Sequence, residues 1–322
     1  MRNYFFIFLL SITLFSCDFS SEEGVDVSTI DIEVSVDRFD IDFYNTETST
    51  LAETKRRYPL LFPENVPDSV WVQKQHDTDE RELFAETQKV YADFSVVKEQ
   101  LTMLFKHINY YNLQFKAPKI ITLISNVDYE SKVIYTKEVL LISLDVYLGK
   151  SHPFYDNFPK YIKQNYHKDH IVVDVANAII NTQIPASITR TFSSKMIEAG
   201  KRLYLLDAYL PGVADEEKIG YEKQKLEWAQ RNESQIWKYF MEHKLLYSTD
   251  AKLNKRFIDD APFSKFYRSE DHLSPGRVGA WFGWQIVRSY MKHNDVSLQR
   301  LLETETEEIF KKSKYKPKKQ WQ

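Results

Sequence analysis

Residues 119–144 read KIITLISNVDYESKVIYTKEVLLISL, and three short apolar runs stand out within them, at 119–125, 132–135 and 139–144. Each is rich in Ile, Val or Leu and is separated from the next by turn residues. β-branched side chains of this kind pack well on a pleated surface, so the runs predict strands of a small central sheet. Working outward, Ile30, Ile32, Val34 and Val36 alternate with Asp31, Glu33, Ser35 and Asp37. That two-residue period predicts a further, half-buried strand. Between these segments Leu83, Val90, Phe94, Val97, Leu101, Leu104 and Phe105 recur at helical steps, which predicts a helix over 79–110.

Beyond Pro153 the chain reads as helix after helix, with helices expected over 168–181, 188–209, 215–231 and 276–293. The second stops at Leu210-Pro211-Gly212, and the last would open on Ser274 as cap and Pro275 at the first helical position. Of only 8 glycines, Gly276, Gly279 and Gly283 fall in that final segment. Each costs a helix up to about 1 kcal/mol relative to alanine, so a neighbouring backbone is expected to pass close to that face. The fold class is therefore α+β and predominantly helical, a small N-terminal sheet with a helical C-terminal half.

The amino terminus reads as an address. Arg2 precedes an uncharged, mostly apolar run over 4–15, YFFIFLLSITLF. As a helix this run would extend about 18 Å, short of the ~30 Å hydrocarbon core, so it fits a secretory h-region better than a permanent span. It ends in Leu14-Phe15-Ser16-Cys17, which resembles a bacterial lipobox with Cys17 as the lipid attachment point. The expected organisation is a lipoprotein signal peptide at 1–16, an acylated cysteine with a flexible tether at 17–27, and one globular domain at 28–322. Within that domain, 28–150 is mixed α/β and 151–322 helical. The chain should then be anchored in the cell envelope through its acyl chains, on the periplasmic side of the cell membrane or at the outer membrane.

With 322 residues, 43% of them apolar, the chain can bury a large core. Lys and Arg total 43 against 46 Asp and Glu, so there is no basic excess of the kind a general nucleic-acid binder carries. The single cysteine excludes an intramolecular disulfide and any multi-cysteine metal site. The basic end at 311–319 reads as a solvated, frayed tail.

Motifs for chemistry are missing. The sequence has no Walker loop, no G-x-G-x-x-G, no G-x-S-x-G elbow and no H-E-x-x-H, so no catalytic residue and no cofactor are expected. His167 and His170 are read as a polar loop rather than a ligand pair. Asp40 and Asp42 would point the same way from a strand, either as an acid–base pair or on the wet side of an edge. Trp281, Phe282 and Trp284 would line a pocket in a ligand-binding lipoprotein, or else pack in the core.

Several segments taken together resemble the GldB family of gliding-motility lipoproteins from Bacteroidetes. They are 38–44 (RFDIDFY), 147–149, 151–155 (SHPFY), 196–207 (MIEAGKRLYLLD), 209–211, 256–257, 261–267 (APFSKFY) and 274–281 (SPGRVGAW). The resemblance implies a membrane-anchored component needed for gliding, acting with other gliding lipoproteins and the type IX secretion apparatus. Gly200, Asp207, Pro262, Phe263, Arg277, Gly279 and Trp281 are its structural or interaction candidates. A second likeness, to gluzincin-type metallopeptidases, places Asp174-Val175-Ala176-Asn177-Ala178 where H-E-x-x-H would stand, with Glu198 on the following helix. It implies a degenerate zincin-like scaffold whose vestigial site would be Asp174, Asn177 and Glu198. The alternative function is a cryptic metal-dependent hydrolase with ligands scattered among His152, His272, Asp174 and Glu198.

Overall fold

The computed structural model describes residues 24–45, 50–184 and 189–318, so the leader and Cys17 lie outside the described residues. The first strand is β1 (Val36–Arg38), followed directly by α1 (Phe39–Tyr44). Only the end of the alternating run thus joins the sheet. Its partner strand begins just after Pro118, which has no N–H to extend the ladder backwards. Asp40 and Asp42 fall in α1 rather than on a strand, and a two-residue helical step turns them to different sides. Asp40 is fully buried and accepts from Arg38 Nε at 2.9 Å and Thr122 Oγ1 at 2.5 Å. Asp42 accepts from Tyr58 at 2.5 Å. Neither the acid–base pair nor, for Asp40, the wet edge survives.

Next come α2 (Leu51–Arg57), α3 (Asp68–His76), α4 (Thr78–Tyr91) and α5 (Ser95–Tyr111). The helix expected over 79–110 is therefore two. Asp93 accepts from the Ser95 backbone N–H at 2.8 Å, a local bond that competes with helical continuation. The 119–144 stretch supplies β2 (Lys119–Leu123), β3 (Val133–Tyr135) and β4 (Val139–Ser143). Strand order is β1-β2-β4-β3, with β1, β2 and β4 parallel and β3 antiparallel on β4. Ile120, Leu140 and Ile142 face the main core; Ile121 faces a smaller one with Phe43, Tyr58, Phe62 and Leu83. Burial on both faces is why β2 and β4 read as continuous apolar runs.

The helical half consists of α6 (Lys160–Lys163), α7 (Ile171–Gln183), α8 (Phe192–Tyr209), α9 (Asp215–Ile219), α10 (Lys223–Arg231), α11 (Glu233–Glu242), α12 (Lys252–Phe257), α13 (Val278–His293), α14 (Leu298–Glu303) and α15 (Thr306–Lys312). The helix expected over 215–231 is broken by Gly220, left-handed at φ 72°, which closes α9. α13 starts later than expected, because Arg277 is also left-handed (φ 55°). Its first N–H, on Val278, is met by Ser264 Oγ at 3.2 Å rather than by Ser274. The basic end is not frayed as far as Tyr315, whose hydroxyl donates to Glu233 Oε1 at 2.6 Å and whose ring packs on Trp237.

The glycines do mark a close backbone approach, between α8 and α13. A Cβ at Gly283 would lie 1.6 Å from the Met196 carbonyl oxygen, and one at Gly200 would lie 2.2 Å from the Gly283 carbonyl carbon. Gly283→Ala should therefore lower stability by about 2 kcal/mol or more, whereas Gly212→Ala, where a Cβ would meet nothing within 4 Å, should change it by under about 1 kcal/mol. Urea denaturation of the two variants checks this, and equal losses would contradict the close crossing.

A pH dependence follows from β1. Burial works to raise the Asp37 carboxyl pKa, but Lys119 and Arg57 outweigh it and the net shift is downward. A depressed carboxyl stabilises above its unfolded value of about 3.9, and that contribution is lost as pH falls through the folded value. Asp37→Asn should thus be less stable than the parent at pH 6, with the difference shrinking toward pH 3 in thermal melts.

Candidate functional site

A polar cleft of about 450 Å³ opens beyond the carboxyl end of β2. Its walls are Tyr129, Glu130 and Lys132 from the β2–β3 connection, Asn165 and Tyr166 after α6, His170 and Asp174 at the start of α7, the end of α9, and Arg277. Crevices at the carboxyl ends of parallel strands are the usual ligand position in open sheets. Asp174 is the best-held group in it. It accepts from Tyr147 at 2.8 Å and pairs with Lys132 at 2.7 Å. The Tyr166 hydroxyl is buried without a hydrogen-bond partner, and burial raises its pKa above the ordinary phenol value.

Beside the cleft lies a second, more open hollow, lined by residues 148–153 together with His167 and Glu217. His167 does sit in the polar loop before the turn, partly exposed, whereas His170 does not. Residues 168–170 form a 3₁₀ turn running into α7, and His170 is 3% exposed. The turn brings both imidazoles to one carboxylate: His167 Nε2 is 3.4 Å and His170 Nδ1 3.2 Å from Glu217 Oε2. Hydrogen bonds from His167 and His170 hold the Glu217 carboxyl well below the ordinary range, against the opposing effect of its burial. Among the described residues, these three are a group whose metal-ligating atoms all lie within 4.8 Å of one another.

The other residues singled out in the sequence are dispersed. Asp207, on α8, accepts from Arg288 Nε and Nη2 at 2.7 Å, from Trp284 Nε1 at 2.8 Å and from Lys218 at 3.0 Å. Arg288 also grips Asp215 at 2.7 Å, so the network joins α8, α9 and α13. Glu198 pairs with Lys201, whose Nζ donates to the Thr304 carbonyl at 2.9 Å and so braces the end of α14. Asn177 lies half-buried on α7, one turn beyond Asp174. Gly200 and Gly279 are packing positions; a Cβ on Gly279 would meet the Phe257 carbonyl at 2.9 Å. Trp281, Phe282 and Trp284 are core residues that line neither the cleft nor the hollow.

In the 261–267 segment, Pro262 is exposed and Phe263 half-buried, and it is Ser264, fully buried, that braces the turn before α13. Arg277 lines the cleft and pairs with Asp260 at 3.3 Å. The scattered hydrolase set does not assemble, because its members have separate partners. His152 faces Glu86 at 3.5 Å, His272 is exposed near the Ser269 carbonyl, Asp174 faces Lys132, and Glu198 faces Lys201. Sequence reasoning missed Lys132, Tyr147, Tyr166, Glu217 and Arg288. Only the histidine pair hinted at Glu217, since its position 47 residues on from His170 carries no local signal.

A family model described as gliding motility protein GldB matches residues 20–317 of the chain. No curated protein and no solved structure matches it.

Asp207→Ala would leave Arg288 and Lys218 facing a partly buried gap with one carboxylate fewer. Removing one partner of a buried ion pair costs about 3–5 kcal/mol, and since the Asp207 side chain keeps 15% of its surface, about 2–4 kcal/mol is expected. The loss should appear as a lower denaturation midpoint. A change under about 1 kcal/mol would mean that Asp207 does not hold the three helices together.

Proposed function

This chain belongs to the GldB family of gliding motility proteins, and on that premise we propose that it is a lipid-anchored, non-enzymatic component of the cell envelope. It would act by contacting other gliding lipoproteins and parts of the type IX secretion apparatus. The observation that carries the reading is the extent of the family match, which starts at residue 20, just after Cys17, and runs to 317. Two sequence features support it: the lipobox-like Leu14-Phe15-Ser16-Cys17, and the lack of any recognised nucleophile, phosphate-loop or H-E-x-x-H motif. No helix among the described residues is long and apolar enough to cross a membrane. Acyl chains contribute about 0.8 kcal/mol per buried CH₂, and two or more chains suffice for stable attachment.

Replacing Cys17 with alanine should move the protein from the membrane to the soluble fraction and abolish spreading of the bacterium that makes it. Normal motility with a fully soluble variant would overturn the anchoring.

A further inference from the structure

From the arrangement of His167, His170 and Glu217 we infer a binding site for a zinc-class divalent ion, independent of the anchoring and interaction reading above. Zinc bound tetrahedrally at roughly 2.0–2.1 Å from each ligand sets its ligand atoms roughly 3.3–3.4 Å apart. The separations from Glu217 Oε2 to His167 Nε2 and His170 Nδ1, 3.4 and 3.2 Å, are two edges of such a tetrahedron. One ligand atom from each of the three residues lies within 4.8 Å of the others, and the partly exposed His167 ring has room for the small turn that would close the set.

The donor set suits the ion. Two neutral imidazoles and one carboxylate form a borderline-soft, singly charged cage of the kind zinc takes, and it contains none of the all-oxygen ligation that calcium or magnesium needs. The surroundings match as well. His170 turns its other nitrogen, Nε2, toward Asp174 Oδ1 at 3.8 Å, an ion-pair distance that must shorten to become a hydrogen bond, and Asp174 is itself fixed by Tyr147 and Lys132. A carboxylate behind a ligating histidine, oriented by further hydrogen bonds, is the usual outer support of zinc ligands.

Three protein ligands leave one tetrahedral position open, and two of the three, His167 and Glu217, line the hollow. That position would take water or a donor atom from a bound protein. These are not the residues that the metallopeptidase likeness marks: Asn177 and Glu198 take no part, and Asp174 stands behind the site rather than in it. The alternative for the same geometry is a pair of protonated histidines sharing a carboxylate, with no affinity for metal.

Calorimetric titration of the chelator-stripped full-length protein in detergent micelles with zinc sulfate separates the two. One zinc per chain is expected, with affinity at least ten-fold weaker in His167→Gln and in Glu217→Gln and unchanged in Glu198→Gln. X-ray absorption of the zinc-loaded parent protein should show two imidazole nitrogens and oxygen neighbours at roughly 2.0–2.1 Å, with no sulfur. That second measurement stands even if a variant folds poorly. The inference is overturned if the parent binds no stoichiometric zinc, if its absorption spectrum shows no imidazole, or if affinity falls in Glu198→Gln rather than in His167→Gln.

Discussion

The α8–α13 crossing has no side chain at its centre, and the placement of the candidate site depends on it. With Gly200 against the Gly283 backbone and Gly283 against Met196, neither helix can slide or roll without collision. Asp207 lies seven residues beyond Gly200, two turns on and so on the same face of α8. Arg288 lies five residues beyond Gly283, stacked 3.8 Å over the Trp284 ring. The crossing therefore delivers a carboxylate and a guanidinium to one point, where they meet at 2.7 Å. The first residue of α9, Asp215, joins the same guanidinium, and Lys218, nearly a turn later, returns to Asp207. Glu217, between them, is thereby held toward His167 and His170.

Two carboxylates and two cations make this cluster neutral overall, and it need not add much stability. The cost of taking four charges partly out of water offsets much of their attraction. An apolar cluster of the same volume would hold α9 as firmly. It would not hold it in one rotation, because burial is non-directional whereas a guanidinium fork accepts carboxylates along only a few lines. A five-residue helix has too little surface to fix its own orientation by packing. The ionic cluster is therefore better understood as what aims Glu217 than as what keeps the protein folded.

How much of this was legible in the sequence varies with the range of the interaction. The strands at 119–144 were readable because burial on both faces leaves a local compositional mark, and the glycines because their cost in a helix demands a reason. The reason proved to be the expected one, although the partner helix could not be named from spacing. Misreadings arose where a distant residue overrides a local pattern. The Asp40–Asp42 alternation looks like a strand, yet Thr122 on β2, 82 residues away, receives Asp40 in a buried helical turn. Ser274 looks like a cap, yet Ser264 supplies it. For the histidine pair the loop reading holds at His167 and fails at His170, which is buried, and nothing near 167–170 announces Glu217. The GldB likeness was legible as dispersed segments, several of which the structure explains as packing: 196–207 carries the glycine crossing and Asp207, and 261–267 braces the start of α13.

The position of the amino-terminal segment ties the fold to the proposed anchoring. Gly24 lies against the loop between α8 and α9, where a Cβ would come within 2.5 Å of the Pro211 ring. From Cys17 to Gly24 is seven residues, which can reach no more than about 25 Å even fully extended. If Cys17 carries the acyl chains as proposed, Pro211 must stay within roughly that distance of the bilayer surface. α9 starts only four residues after Pro211, so on the proposed anchoring the Glu217 side of the molecule would lie near that layer too. On that proposal, a partner donating to the open position beside His167 would itself have to reach the membrane-proximal layer.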